Sequence, residues 1–142
     1  MIRSRPFKIM IVDDDDDMTT LLKTWISNKW GEEVNFKIFD SSELALLFLE
    51  EDVEDKEEIH LCLVDISLQE GDGIDLIRTG LRYSKFTKFV AMSVDGKASR
   101  ALEAYHAGAD YFLKKPIGKK ECEEVLEHCL DYFNHWAKLL SE

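Results

Sequence analysis

Two adjacent carboxylates at Asp13 and Asp14, a third at Asp65, a hydroxyl at Ser93 and an ammonium at Lys115 each come at or just past the end of a short apolar run. Residues at such positions gather at one edge of a sheet if the runs are neighbouring strands. Carboxylates brought together repel: two unit charges about 4 Å apart cost about 4 kcal/mol at an effective dielectric of about 20. The cluster must therefore raise a pKa or take up a cation. Magnesium, with manganese as its substitute, suits a site of one or two carboxylates, a carbonyl, waters and a phosphate oxygen. Lys115 supplies a point-like positive charge that suits a phosphoryl oxygen, and Ser93 a hydroxyl for the same group. Together these residue types describe phosphoryl chemistry at a carboxylate.

Singly, each has a plainer explanation. An aspartate run before a helix is usually a solvated start favoured by the helix dipole, a role open to Asp15, Asp16 and Asp17. Asp65 alone is a turn residue, Ser93 a loop or capping hydroxyl, and Lys114 a solvated neighbour. Asp72-Gly73 reads as a turn before a helix, with no chemistry assigned. The four histidines share no ligand spacing and are expected to be structural or exposed. Only the joint occurrence at strand ends outweighs these readings.

The elements that must position the set follow from periodicity. Phe7 to Val12 is apolar apart from Lys8, as in a strand buried on both faces of a parallel sheet. A helix is expected from about Asp16 to Trp30, with Leu21, Leu22, Trp25 and Ile26 at helical spacing and Gly31 as its stop. Val34 to Phe39 alternates as a strand, and Ser41 or Ser42 caps a helix carrying Leu44, Leu47 and Phe48. The acidic stretch from Glu50 to Glu58 reads as a solvated helix end and loop. Ile59 to Val64 is a third strand, and Gly73 to Arg82 a helix that Gly80 weakens or ends. Lys88 to Met92 is a fourth strand, Lys97 to Ala107 a helix ended by Gly108, and Tyr111 to Leu113 a short fifth strand. From Gly118 to about Leu140 runs a long amphipathic helix with Cys122, Val125, Leu126, Cys129, Leu130, Phe133, Trp136 and Ala137 on its apolar side. Strict alternation of five such units implies an α/β fold: a doubly wound parallel sheet whose ligand sits outside the carboxyl ends of the strands.

The 142 residues suit one domain, residues 1–142, and 45% hydrophobic with 33% charged residues argues against disorder. No apolar run approaches the roughly 20 residues of a membrane span. The aspartates that follow the basic N-terminus exclude a secretory signal. Cys62, Cys122 and Cys129 form no CxxC and are expected as buried reduced thiols, with a cytoplasmic location. A net charge of -11 disfavours direct contact with a nucleic-acid backbone and favours a cation or a partner with a basic patch.

From Lys8 to about Leu140 the sequence resembles the response-regulator receiver family of two-component signalling. The resemblance rests on Ile9-Met-Ile-Val-Asp-Asp14, Leu63-Val-Asp65 with Asp72-Gly73 behind it, Ala91-Met-Ser93, and Ala107-Gly-Ala-Asp-Tyr-Phe-Leu-Lys-Lys-Pro116. It implies a flavodoxin-like (βα)5 sheet of order 2-1-3-4-5 and a phosphoacceptor at Asp65. It implies magnesium held by Asp14 directly, by Asp13 through water, by Asp65 and by the backbone carbonyl of Ser67. Lys115, which directly precedes Pro116, matches the family lysine, with a cis peptide between the two. Ser93 matches the switch hydroxyl and Phe112 the switch aromatic, although an aromatic there is more often core. The implied partners are a histidine kinase or a histidine phosphotransfer protein, and a second copy through the fourth helix, fifth strand and fifth helix. The domain would catalyse only its own phosphorylation and dephosphorylation.

Two departures stand out. Gln69 replaces the usual proline four residues after the acceptor. Val94 replaces the small residue after the switch hydroxyl, where a branched side chain would narrow access to an acyl phosphate. Two other functions compete: a receiver-fold interaction module that takes no phosphate, and a haloacid-dehalogenase-type phosphotransferase. The latter fits Asp15-Asp-Asp-Met-Thr19 by letter only, because a nucleophile directly after the strand is Asp13, and Asp17 then stands where threonine is required. An EF-hand over Asp13, Asp15 and Asp17 fails at Met18, where glycine is needed, and at Thr24, where glutamate is needed.

Overall fold

A computed structural model describes residues 6–51, 58–67 and 72–140. Gln69 and most of the acidic stretch from Glu50 to Glu58 lie outside the described residues. The strands are β1 (Phe7–Val12), β2 (Val34–Phe39), β3 (Leu61–Asp65), β4 (Lys88–Ser93) and β5 (Tyr111–Lys114). The helices are α1 (Asp16–Trp30), α2 (Ser42–Glu50), α3 (Gly73–Tyr83), α4 (Ala98–Ala107) and α5 (Lys119–Leu140). All pairings are parallel, in the order β2-β1-β3-β4-β5, as the resemblance implied.

The central strands are apolar on both faces because both faces are covered. Ile9 and Ile11 of β1 join a core with Leu22 and Ile26 of α1 and Leu126, Leu130 and Phe133 of α5. Met10 and Val12, one residue out of phase, join a second core with Ala45, Ile77 and Ala104 from α2, α3 and α4. Burying each large apolar side chain contributes roughly 1.5–3 kcal/mol, so the continuous runs are stable only between two helical layers. Where β2 forms the edge of the sheet, the expected alternation holds only through Lys37: Val34 is buried and Phe36 half-buried, but Ile38 in the same phase is exposed and Phe39 is half-buried against the other core.

Three local expectations change. α3 continues through Gly80 to Tyr83. Gly80 is buried, and a Cβ there would stand 3.0 Å from Phe89 Cζ and 3.1 Å from Leu49 Cδ1, so it marks close packing and not a helix end. In α2 the inward residues are Ser42, Ala45 and Leu49, which leaves Leu44 and Leu47 exposed. β3 begins at Leu61, while Ile59 and His60 ahead of it remain buried. His60 Nδ1 accepts a 3.0 Å hydrogen bond from the Lys8 amide, and its ring lies edge-on to both Phe7 and Phe133, a structural role.

The inward stripe of α5 runs as expected from Cys122 to Phe133, but Trp136 is exposed beyond it. Cys62, Cys122 and Cys129 are buried free thiols. Burial pushes all three thiols up, Cys122 and Cys129 to about 12, which keeps them protonated and unreactive. Gly108 ends α4 at φ 111°, and a Cβ there would collide with Leu81. Among the described residues no helix is long and apolar enough to cross a membrane.

Candidate functional site

β1 and β3 are adjacent with Val12 opposite Val64, so Asp13, just past the end of β1, and Asp65, the last residue of β3, come side by side. β5 lies two strands from β3, and the Lys115 amide, just past its end, donates to the Ser93 carbonyl at 2.8 Å. The Lys115–Pro116 peptide is cis. From there Lys115 Nζ donates to Asp13 Oδ2 at 2.8 Å and to Asp65 Oδ2 at 3.1 Å. Lys114 is exposed and its stem lies over Gly96, so Lys115 is the lysine of the site.

The remaining carboxylate oxygens are held by the backbone. Asp13 Oδ1 accepts the Asp15 amide at 2.9 Å, and Asp65 Oδ1 accepts the Ser67 amide at 2.7 Å. Asp14 is exposed, yet one of its carboxylate oxygens lies within 4.8 Å of ligand oxygens from both Asp13 and Asp65. The rest of the aspartate run has the plain role: Asp15 caps α1, accepting from the amides of Asp17 and Met18, and Asp16 and Asp17 lie in the first turn.

Burial raises Asp13 above the usual carboxylate range. Its hydrogen bonds to Lys115 and to the Asp15 amide, with the lysine charge, oppose this, and the nearby Asp65 adds to it. Burial pulls Lys115 down, but its hydrogen bonds to Asp13 and Asp65 and their charges outweigh that and hold it above its ordinary value. Three carboxylates against one ammonium leave two negative charges when all are ionised. A divalent cation balances that remainder, and an all-oxygen donor set with an exposed edge is the kind that magnesium accepts while keeping waters. The residues present fit the ion.

Ser93 is fully buried. Its hydroxyl accepts the Asp95 amide at 3.0 Å and is paired with the Ser67 hydroxyl at 2.9 Å. The Ser67 side chain was not singled out in the sequence, where only its carbonyl was considered. Val94 follows Ser93 and is 67% exposed. Phe112 is half-buried and packs against the core on the α2–α4 side.

Asp72-Gly73 has a role that the turn reading missed in part. Asp72 caps α3 by accepting the Ile74 amide at 2.9 Å. A Cβ on Gly73 would stand 2.5 Å from the Asp65 carbonyl oxygen and 2.6 Å from Ile66 Cα, so only glycine lets α3 start this close to the loop behind Asp65. The spacing to Asp65 was visible in the sequence, but the close approach was not.

The fold is a five-stranded parallel sheet with acids at the ends of two adjacent strands and a lysine just past the fifth. The response regulator receiver domain family matches residues 9–127, and the chain belongs to it. The transcriptional regulatory protein SrrA of Staphylococcus aureus is 31% identical over 121 residues, covering 80% of this chain and 44% of SrrA. The chain thus spans less than half the length of the curated relatives it matches. A CheY-like receiver domain protein from Methanospirillum hungatei superposes with a TM-score of 0.77 at 24% identity, covering 91% of this chain and 97% of the other. The receiver domain of a LuxO repressor protein from Vibrio parahaemolyticus superposes with a TM-score of 0.78 at 20% identity, covering 97% and 98%.

With Asp13 raised, magnesium binding at this cluster is expected to depend on pH. Protons and the cation compete for the same carboxylate, so affinity falls with acidification, starting above the range where an ordinary aspartate titrates. The penalty of burying the charged Asp13 is present above its raised pKa and is relieved as pH falls through it, so acid favours the metal-free fold at this residue. Calorimetric titration with magnesium across pH checks this. Affinity that holds steady until the ordinary aspartate range contradicts it.

Proposed function

We propose that Asp65 is the phosphoacceptor of a magnesium-dependent switch, loaded by a histidine kinase or histidine phosphotransfer protein in the cytoplasm. The observation that supports this most is the meeting of Asp13 and Asp65 on one ammonium, Lys115, with Asp14 beside them. Asp13, Asp14, Asp65 and the backbone carbonyl of Ser67 would hold Mg2+ or Mn2+. When bound, the ion offsets the charge that builds on the phosphoryl oxygens.

The protein's own groups do the rest. The Ser67 amide fixes Asp65 Oδ1, which leaves Oδ2 to attack phosphorus. An O–P bond forms as the P–N bond to the donor histidine breaks, and the electron pair returns to the imidazole nitrogen, which is protonated. Lys115, already 3.1 Å from Oδ2, follows the charge to a phosphoryl oxygen. Water reverses the modification by attacking the same phosphorus, so the domain acts catalytically only on itself.

Ser93 is the switch hydroxyl in this reading. Its hydroxyl, now paired with Ser67 Oγ, donates to a phosphoryl oxygen, and Phe112 then turns inward, biasing an existing two-state equilibrium. Moving that equilibrium from 1:99 to 99:1 takes about 5.5 kcal/mol, more than one hydrogen bond and one ion pair supply, so partner binding completes it. The reporting surface is α4, β5 and α5, which a second copy can also use. The net charge of -11 argues against direct nucleic-acid contact by this domain.

Beryllofluoride with magnesium, as a phosphoryl mimic, changes hydrogen exchange in α4 and β5 of the wild type. Asp65→Asn removes the response. An equal response in Asp65→Asn assigns the acceptor elsewhere, and no response in the wild type favours the phosphate-independent module. Val94→Ala opens access to the acyl phosphate and shortens its lifetime in an autodephosphorylation assay. An unchanged lifetime removes Val94 from the account.

A further inference from the structure

One cation near the site belongs to none of the roles above. Arg100 sits in the first turns of α4, where one guanidinium nitrogen donates to the Ile66 carbonyl and another to Glu103 Oε2 at 2.9 Å. Its side chain is only 22% exposed. The Ile66 carbonyl and the Ser67 N–H are the two ends of a single planar amide. That N–H is the donor that holds Asp65 Oδ1 at 2.7 Å. The chain runs unbroken from a guanidinium on α4, through one peptide plane, to the Asp65 carboxylate.

We propose that Arg100 is a positioning residue for Asp65, acting through the Ile66–Ser67 peptide. The proposal rests on the phosphoacceptor reading and adds a residue to it.

Two physical effects support the role. The first is geometric. A planar amide rotates as a unit, so a bond on its oxygen restricts its N–H as well. The Ile66 amide is already tied to the Met92 carbonyl of β4 at 2.9 Å, and Arg100 fixes the next peptide in the same loop. With Oδ1 held, the carboxylate cannot spin, and Oδ2 stays aimed at Lys115. The second effect is electronic. A cation on a carbonyl oxygen polarises the amide and strengthens its N–H as a donor, the cooperativity expected of linked hydrogen bonds in a partly buried site. Glu103 holds the other side of the guanidinium in place, and at 58% exposure it offsets little of the charge by comparison with a buried partner.

The test uses acetyl phosphate with magnesium as the phosphoryl donor and the full chain as the protein. Phosphorus leaves the acetyl oxygen for Asp65 Oδ2, and acetate departs with the electron pair. Arg100→Ala slows phosphorylation about tenfold, the effect of losing one charge-assisted hydrogen bond, and Arg100→Lys recovers part of the loss. A purely structural role would also slow the reaction, so the Ser67 amide proton is followed by NMR. In the wild type its bond to a carboxylate places it far downfield. In Arg100→Ala it moves upfield, while the Asp15 amide, bonded to Asp13 Oδ1 at 2.9 Å, stays where it was. An unmoved Ser67 amide overturns the proposal, and so does an unchanged rate in Arg100→Ala. If the wild type takes no phosphoryl group at all, the phosphoacceptor reading fails, while the Ser67 resonance still decides whether Arg100 holds that peptide.

Discussion

Asp13 and Asp65 each send a carboxylate oxygen to the same ammonium, Lys115 Nζ, and both carboxylates are buried. Removed from water and next to each other, the two acids would disfavour folding or give up a charge. One lysine from the far strand offsets part of the conflict and leaves the site short of positive charge. That shortfall is what a divalent ion would fill, and only with such an ion in place would the net-negative site accept the oxygens of a phosphoryl group. The strain shows in Asp13, which burial raises, and in Lys115, which its two partners hold in the charged form.

The rest of the architecture keeps this arrangement in place. Parallel strands of order β2-β1-β3-β4-β5 put all carboxyl ends on one edge, with β1 beside β3 and β5 two strands beyond. Two apolar layers clamp the sheet, so the strand ends cannot drift apart to relieve the repulsion. Gly73 then lets α3 begin against the Asp65 carbonyl, and the cis Lys115–Pro116 peptide carries the chain from β5 into α5. Around Asp65 the constraints come from several elements at once: its own loop through Ser67, β5 through Lys115, and α4 through Arg100.

Much of this was legible in the sequence because it follows from patterns that act locally. Continuous apolar runs ending in acid, hydroxyl or lysine located the strands and the edge where chemistry gathers. Gly31 and Gly108 marked helix ends correctly, and both have positive φ. Less legible was anything that depends on a neighbour distant in sequence. Gly80 reads as a helix breaker until Phe89 and Leu49 are seen pressing on it. Leu44 and Leu47 look like the apolar side of α2, but the helix is set against the sheet by Ala45 and Leu49. The Ser67–Ser93 hydroxyl pair spans 26 positions and the Arg100–Ile66 bond 34, and neither leaves a spacing that a sequence reader would recognise.

If Asp65 is the phosphoacceptor, an acyl phosphate forms on Asp65 and on no other residue. Borohydride reduces an aspartyl phosphate to homoserine, which marks the position permanently. After incubation with acetyl phosphate and magnesium, reduction and peptide mass mapping should find homoserine at position 65 alone. Its absence there, or its appearance at Asp13 or Asp14 instead, would contradict the account.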